Sequence, residues 1–165
     1  MAPHNLPQAN TLRQEWGGYI QSVPSLLGKP YEYVGHLTYQ DHADIPRHHQ
    51  ADILARRFNY FVRQINERLY GKRWMRQGKG VFGAMAIEKV PDFPHHHFIM
   101  GGEGLRAGLR RLDIMDMWEQ ELQHGIARIT DYRGEAAARY LVKYITKGSI
   151  VDVFASPGQR AKLKT

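Results

Sequence analysis

The stretch VFGAMAIEKVPDFPHHHFIMGG, residues 81–102, contains two strand patterns and the turn that joins them. Residues 81–89 and 95–102 are largely apolar and are bounded by glycine and proline, which is typical of strands in a sheet. The segment VPDFP between them contains two prolines and an aspartate, and these residues favour a tight connection. The stretch therefore predicts an antiparallel hairpin at the centre of a sheet.

Two elements are predicted before the hairpin. Residues 31–40, YEYVGHLTYQ, are rich in β-branched and aromatic side chains and predict a strand. After Pro46, apolar residues recur at spacings of three and four, which predicts one buried face of a long helix that ends near Gly71. That face comprises Leu54, Phe58, Phe61, Ile65 and Leu69.

Three elements are predicted after the hairpin. A second helix is lined by Met115, Trp118 and Leu122. The segment GIARITDY, residues 125–132, predicts a fourth strand. The segment EAAARYLVKYITK, residues 135–147, predicts a third helix that stops at Gly148.

The predicted order is strand, helix, strand, strand, helix, strand, followed by a helix. This βαββαβ order is that of a ferredoxin-like or RRM-like α+β fold, in which helices pack on one face of an antiparallel sheet. The other face is open in such a fold, so a site built on the sheet is expected there.

One domain is predicted for the 165 residues. The chain is long enough for one core and too short for a second domain of ordinary size. Residues 1–30 are expected to form an arm with a short helix around residues 11–23. Residues 31–148 are expected to form the catalytic core and residues 149–165 a basic tail, which is expected to be mobile after Ser156.

The chain is basic, with 23 lysines and arginines against 16 aspartates and glutamates, a net charge of +7 and a pI near 9.7. Such a charge favours a polyanionic partner, because lysines and arginines that meet phosphates release counterions. The absence of cysteine excludes disulfides, thiolate metal sites and thiol nucleophiles. Neither a membrane-spanning apolar run nor a secretory signal pattern is visible, so a soluble cytoplasmic protein without a membrane partner is expected.

Three consecutive histidines begin the second hairpin strand. Side chains alternate along a strand, so His95 and His97 share one face and His96 lies on the other. Glu88 lies near the end of the first hairpin strand and can face the pair across the turn. Two imidazoles and one carboxylate with open positions are typical of a catalytic metal site, for which Mg²⁺, Mn²⁺ and Zn²⁺ are candidates. The alternative is a set of ordinary surface or core histidines beside an exposed glutamate.

The third predicted helix carries two tyrosines and two lysines at matching spacings. Tyr140 and Tyr144 are four residues apart, as are Lys143 and Lys147, so each pair lies on neighbouring turns. A tyrosine hydroxyl can attack a phosphodiester when nearby cations neutralise the charge that develops. The alternative is packing, in which the tyrosines only cover the core.

The segments HLTYQ (36–40), PHHHF (94–98) with Glu88 before it, and YLVKYITK (140–147) occur in the order and approximate spacing of three motifs of a known enzyme family. In these segments the chain resembles the HUH endonucleases, the initiators of rolling-circle DNA replication. It resembles in particular the two-tyrosine branch, which includes initiators of single-stranded DNA phages and of bacterial plasmids. The resemblance covers residues 31–148.

This resemblance implies site-specific nicking and joining of single-stranded DNA. His95, His97 and Glu88 would hold Mg²⁺ or Mn²⁺ against the scissile phosphate. Either Tyr144 or Tyr140 would attack that phosphate and leave a 5′-phosphotyrosine and a free 3′-hydroxyl. Tyr144 is favoured for the first cut.

Other residues of the three motifs receive supporting roles from the same resemblance. Lys143 and Lys147 would stabilise the transition state or position the phosphate. Thr38 would support the site from the neighbouring strand. His96 departs from the family pattern, which has a hydrophobic residue between the two histidines.

The partner that the resemblance implies is single-stranded DNA at a replication origin, with a hairpin as its expected form, in the cytoplasm of a bacterial host. The sequence has no GxxxxGK[ST] loop. Helicase activity is therefore expected from the host or from a separate protein.

The loop GKRWMRQGKG, residues 71–80, is the predicted DNA contact. Its cations can follow phosphates, and its tryptophan can stack on an unpaired base. The residues concerned are Lys72, Arg73, Trp74, Arg76 and Lys79. The alternative is a solvated loop with the tryptophan in the core. Further cations that could extend this surface are Arg106, Arg110 and Arg111.

Several alternatives remain open. A non-catalytic module could bind single-stranded nucleic acid on the same sheet, with the histidines incidental. A metal-dependent hydrolase could use water instead of tyrosine as its nucleophile. A plasmid mobilisation relaxase or a single-strand transposase would use similar chemistry. A competing metal pair, His48 and His49, lacks a well-placed carboxylate.

Overall fold

The computed structural model describes residues 6–88, 92–134, 139, 141, 143 and 150–164, and the side chains of residues 6–13 lie outside the description. The helices are α1 (Leu6–Leu27), α2 (Gln50–Tyr70), α3 (Leu105–Gly108), α4 (Arg111–Asp116) and α5 (Pro157–Leu163). The strands are β1 (Tyr33–Thr38), β2 (Phe82–Glu88), β3 (His95–Gly101), β4 (Ala127–Asp131) and β5 (Ile150–Phe154). Short 3₁₀ turns at His42–Asp44 and Arg47–His49 precede α2.

The five strands form one antiparallel sheet in the order β4-β1-β3-β2-β5. The predicted hairpin is confirmed, since Phe82 pairs with Gly101 at one end and Glu88 pairs with His95 at the other. β3 lies at the centre because β1 pairs with its free edge. The predicted α+β class is confirmed: an antiparallel sheet carries packed helices, compatible with an RRM-like fold.

α2 packs against one face of the sheet. The apolar face predicted for this helix is confirmed, since its fully buried members are Leu54, Phe58, Phe61 and Ile65. Leu69 is partly buried against the same core. The helix ends at Gly71, whose φ of 77° is a conformation that glycine adopts without strain.

The second predicted helix is not a regular α-helix. α4 ends at Asp116, and a π-helical turn, Met117–Glu121, continues it. A π turn is wider than an α turn, so it moves the buried positions away from regular spacing. The buried residues are Ile114, Met117 and Trp118, whereas the predicted Met115 and Leu122 are only partly buried.

The second face of the sheet also carries helices, which the strand order alone did not predict. Ile20 and Val23 of α1 pack with Ala84 and Ile99 of the sheet, and all four are fully buried. Leu141, a helical residue 1% exposed, belongs to the same apolar cluster. The face that was expected to be open is therefore covered along part of its length.

The mobility predicted for the basic tail after Ser156 is wrong, because Pro157–Leu163 is a helix, and the tail also contains a strand, Ile150–Phe154. β5 pairs with β2, with Val153 opposite Ala84. α5 then begins at a capping box in which the Ser156 hydroxyl accepts the Gln159 backbone N–H and the Gln159 side chain accepts the Ser156 N–H. The sheet therefore extends beyond the predicted core boundary at residue 148.

The predicted N-terminal arm is mostly helix. α1 has 22 residues, more than the short helix expected around residues 11–23. Tyr31 fixes the end of this segment, because its hydroxyl donates to the Ile20 carbonyl at 2.7 Å.

Within the described ranges, no helix combines the length and the apolar character that crossing a bilayer requires.

Candidate metal centre

Three neighbouring strands bring four potential ligands to one face of the sheet. His36 on β1 lies opposite His97 on β3, and Glu88 on β2 lies opposite His95 on β3. Directly opposite residues share a face, and so do residues two apart on one strand. The pairing register therefore places His36, His95, His97 and Glu88 together.

The distances within this group, here called the histidine cluster, suit a shared ion. Oε2 of Glu88 lies 3.1 Å from Nε2 of His95 and 3.2 Å from Nε2 of His97. The ligand atoms of His36, His95 and His97 all lie within 4.8 Å of one another. With metal–nitrogen bonds of about 2.0–2.1 Å, two donors of one ion are at most about 4.0–4.2 Å apart, so small side-chain rotations would bring the imidazoles to bonding distance.

Local contacts orient the first imidazole of the cluster. Nδ1 of His95 lies 2.8 Å from the carbonyl oxygen of Phe93. In the tautomer in which Nδ1–H donates to that carbonyl, Nε2 presents its lone pair to the centre of the cluster. Such a contact outside the ligand shell is usual for metal-binding histidines, because it fixes both the ring and the tautomer.

Burial keeps two of the imidazoles in the neutral form. The pKa of His36 is lowered by desolvation and by the neighbouring His95 and Arg128. Desolvation also lowers the pKa of His97, with further contributions from His36 and His95. Neutral imidazole is the form that binds metal. His97 and Glu88 are buried and His36 and His95 are half-buried, so the cluster has one solvent-facing side.

His96 lies on the opposite face, as the strand alternation predicts. It is 0% exposed, and its ring stacks on Phe58 at a centroid distance of 4.8 Å and an interplanar angle of 11°. Nδ1 of His96 lies 2.8 Å from the hydroxyl of Tyr39. Desolvation lowers the pKa of His96 to about 3. This histidine therefore belongs to the α2 core and not to the cluster.

The predicted nucleophiles lie largely outside the described residues. Tyr140, Tyr144 and Lys147 are not described, whereas Lys143 is helical and exposed. Leu141 packs in the apolar cluster that contains Ala86, and Ala86 lies opposite His97. The described part of this helical segment therefore lies on the same face of the sheet as the histidine cluster.

The predicted DNA-contact loop lies far from the cluster. The loop leads into Phe82, and the strand from Phe82 to Glu88 spans about 20 Å. Its exposed cations are Lys72, Arg73, Arg76 and Lys79. Trp74 is only 9% exposed and lies against Gly80, so its side chain is not free to stack on a base. The alternative, in which this tryptophan lies in the core, is the one found.

Other predicted residues have mainly structural contacts. The Thr38 hydroxyl accepts the Ile126 backbone N–H at 3.0 Å, which joins β1 to the segment before β4 and fits the supporting role predicted for it.

The additional arginines lie at the far end of the sheet and form ion pairs. Arg106 and Arg111 pair with Asp131, and Arg110 with Asp113.

His36 is the site residue that the sequence analysis missed. It is the first residue of the HLTYQ segment and shares one face of β1 with Val34 and Thr38. The expected strand order would already have placed β1 beside β3, so counting side-chain faces could have found it. In the described part of the chain, His36, His95 and His97 are the set of three that meets metal-ligand spacing, and His48 and His49 belong to no such set.

Comparisons with protein-family models, with curated proteins and with solved structures gave no match for this chain. The side chains of the site are therefore the basis for proposing a function.

Proposed function

We propose that this protein is a metal-dependent enzyme that nicks and joins single-stranded DNA through a 5′-phosphotyrosine, and that it initiates rolling-circle replication. The observation that carries the proposal is the histidine cluster, which lies on the face where Leu141 packs. Leu141 follows Tyr140 directly and precedes Tyr144 by three residues. A metal-ligand set and a tyrosine-bearing segment on one sheet face suit phosphoryl transfer.

The donor set favours Mn²⁺ over Mg²⁺. Imidazole nitrogen suits first-row transition metals, whereas Mg²⁺ prefers oxygen ligands and retained water. The cluster offers three imidazoles and one carboxylate. Zn²⁺ also fits such donors, so metal identity needs a measurement. When bound, the ion supplies Lewis-acid polarisation of the scissile phosphate.

The chain's own residues account for the remaining chemistry. In the proposed step, the Tyr144 or Tyr140 hydroxyl oxygen attacks phosphorus while the bond from phosphorus to O3′ breaks. The phenol loses its proton, and the departing O3′ gains one, so a phosphotyrosine diester and a free 3′-hydroxyl result. Lys143 and Lys147 would balance the charge that develops on the phosphate oxygens. Joining is the same exchange run with an incoming 3′-hydroxyl.

The expected substrate follows from charge and from the chemistry. A net charge of +7 favours a phosphate polymer. We propose a single-stranded origin segment, in hairpin form, as the natural substrate, with strand separation by a host or separate helicase in the bacterial cytoplasm. A covalent phosphotyrosine conserves the energy of the broken phosphodiester, which lets one protein both open and reseal a strand.

The test is formation of a covalent adduct with DNA. The full chain is stripped of metal, incubated with pooled single-stranded oligonucleotides and Mn²⁺, and analysed on a denaturing gel. We expect a slower-migrating adduct that EDTA prevents. The matched control is the double variant Tyr140→Phe plus Tyr144→Phe, which keeps the aromatic rings and removes both attacking oxygens. EDTA-resistant binding without any adduct would favour the non-catalytic binding module instead.

A further inference from the structure

A second feature lies on the same sheet face, between α1, β5 and α5. It is a pocket of about 240 Å³. The residues that line it include the aromatic Trp16 and Tyr19, the basic Arg160 and Lys164, and Val153 and Asp152 of β5. This volume is below the roughly 300 Å³ at which the usual range of ligand pockets begins, so the pocket suits one planar group and not a larger ligand.

The aromatic wall is built by α1. Trp16 and Tyr19 are three residues apart, and their rings meet edge to face with centroids 6.2 Å apart. Trp16 is half-buried against the apolar cluster, and Tyr19 is 37% exposed. An anchored indole beside a solvent-facing phenol is a surface on which a nucleobase can stack.

The charged wall is built by α5 and β5. Lys164 is the C-cap residue of α5 and follows Arg160 by four residues, so the two lie on the same side of the helix. The Arg160 side chain donates to the carbonyl oxygens of Ala155 and Val153 at 3.2 and 3.5 Å, which limits its movement. These two cations can hold a phosphate.

The position of the pocket relates it to the histidine cluster. Val153, which lines the pocket, pairs with Ala84 on β2, four residues from Glu88. Ala84 and Glu88 share a face, about 13 Å apart along the strand. At the other end of β2, the Gln159 side chain donates to the Gly80 carbonyl at 2.7 Å and joins α5 to the basic loop. The pocket therefore lies between the histidine cluster and the loop cations.

We propose that this pocket binds one unpaired nucleotide of the single-stranded DNA substrate, a few nucleotides from the scissile phosphate. The base stacks on the exposed Tyr19 ring with its edge toward the nearly perpendicular Trp16 indole, and its phosphate pairs with Arg160 and Lys164. The inference rests on the proposed function, because that function identifies the ligand as single-stranded DNA. A nucleotide bound in this pocket would lie on the path of the DNA from the histidine cluster to the distant loop. The proposal also assigns α1 and α5 a role in substrate recognition.

The test uses the full chain in EDTA, so that binding is measured without cleavage. Single-stranded oligonucleotides of mixed sequence carrying 5-bromodeoxyuridine are irradiated with the protein, and crosslinked peptides are identified by mass spectrometry. We expect crosslinks at Trp16 or Tyr19. Absence of crosslinks on α1, in a sample that crosslinks elsewhere, would overturn the proposal.

Affinity measured by fluorescence anisotropy provides the second arm. Arg160→Ala plus Lys164→Ala should weaken binding roughly tenfold at low salt, and Tyr19→Ala should weaken it about fivefold or more. The matched control is Arg56→Ala plus Arg63→Ala, which removes the same charge from exposed positions of α2 on the other face. Equal losses in the test and control pairs would contradict the assignment. Because metal is absent from this assay, its outcome is independent of whether the nicking activity is found.

Discussion

His36 on β1 lies directly opposite His97 on β3, and the centroids of their rings are 4.9 Å apart. The two residues are far apart in the chain, and only the pairing of β1 with β3 brings them together. His97 in turn lies 3.2 Å from the carboxylate of Glu88 on β2. A ligand set assembled from three strands is rigid, because each strand is held by its ladder of backbone hydrogen bonds.

The first prediction concerns His36. His36→Ala should lower Mn²⁺ affinity about tenfold or more, since loss of even an outer contact typically costs that much in metal sites. Isothermal titration calorimetry on metal-stripped protein measures the change. The matched control is His48→Ala, an exposed histidine outside the cluster. Unchanged affinity in folded His36→Ala protein would remove this residue from the ligand set.

The second prediction concerns the charge of Glu88. Glu88→Gln keeps the shape and can still hydrogen-bond an imidazole, but it loses the negative charge that opposes a divalent cation. We expect Mn²⁺ affinity to fall about tenfold, with little change in folding. Glu103→Gln is the matched control, because Glu103 is exposed and pairs only with a lysine in the described contacts. Equal affinities for the two variants would exclude Glu88 as a ligand.

The third prediction separates the middle histidine from its neighbours. His96→Leu removes the contact with the Tyr39 hydroxyl and the stack on Phe58, so it should lower the free energy of unfolding by about 1–2 kcal/mol. Urea denaturation measures this loss. Mn²⁺ affinity should stay within about twofold of wild type, because the side chain lies on the other face. Loss of metal binding in folded His96→Leu protein would exchange the roles of the histidines.

The fourth prediction concerns an ion pair that fixes the segment after β1. Two hydrogen bonds, of 2.8 and 2.9 Å, join the Arg57 guanidinium on α2 to the Asp41 carboxylate. These bonds hold the pKa of Asp41 below its ordinary value of 3.8. Asp41→Asn should cost on the order of 1 kcal/mol or less at neutral pH, since the pair is partly exposed.

The sign of the pH dependence follows from that lowered pKa. The carboxylate's contribution is complete above the unfolded-state pKa and is lost as the pH falls through the lower folded-state pKa. The difference in stability between wild type and Asp41→Asn should therefore shrink below about pH 4. Thermal unfolding across this range measures it. A difference that persists unchanged into strong acid would show that the ion pair is not its source.

Local patterns predicted much of the fold and part of the site. The spacing of Phe58, Phe61 and Ile65 identified the buried face of α2, because helix periodicity is a local property. Strand alternation placed His95 and His97 on one face and His96 on the other for the same reason. Glu88 followed from the hairpin, whose two strands are neighbours in sequence.

Contacts between distant segments could not be predicted in this way. His36 joins the cluster through the pairing of β1 with β3, which follows from the expected strand order and not from the residues next to His36 in the chain. Trp74 is buried beside Gly80, and Ser156, the N-cap residue of α5, approaches the same glycine. β5 is short and precedes a basic segment, so its pairing with β2 has little local signal. Each of these features requires the tertiary arrangement.

The central claim is that a tyrosine of the YLVKYITK segment becomes linked to DNA in a metal-dependent step. Trypsin cuts after Arg139 and Lys143, so Tyr140 and Tyr144 fall in different peptides, YLVK and YITK. The most direct measurement is therefore mass spectrometry of tryptic peptides from the adduct formed with Mn²⁺. We expect a nucleotide on the Tyr144 peptide first, and none in EDTA. An adduct on neither peptide, or one that forms equally in EDTA, would contradict the claim.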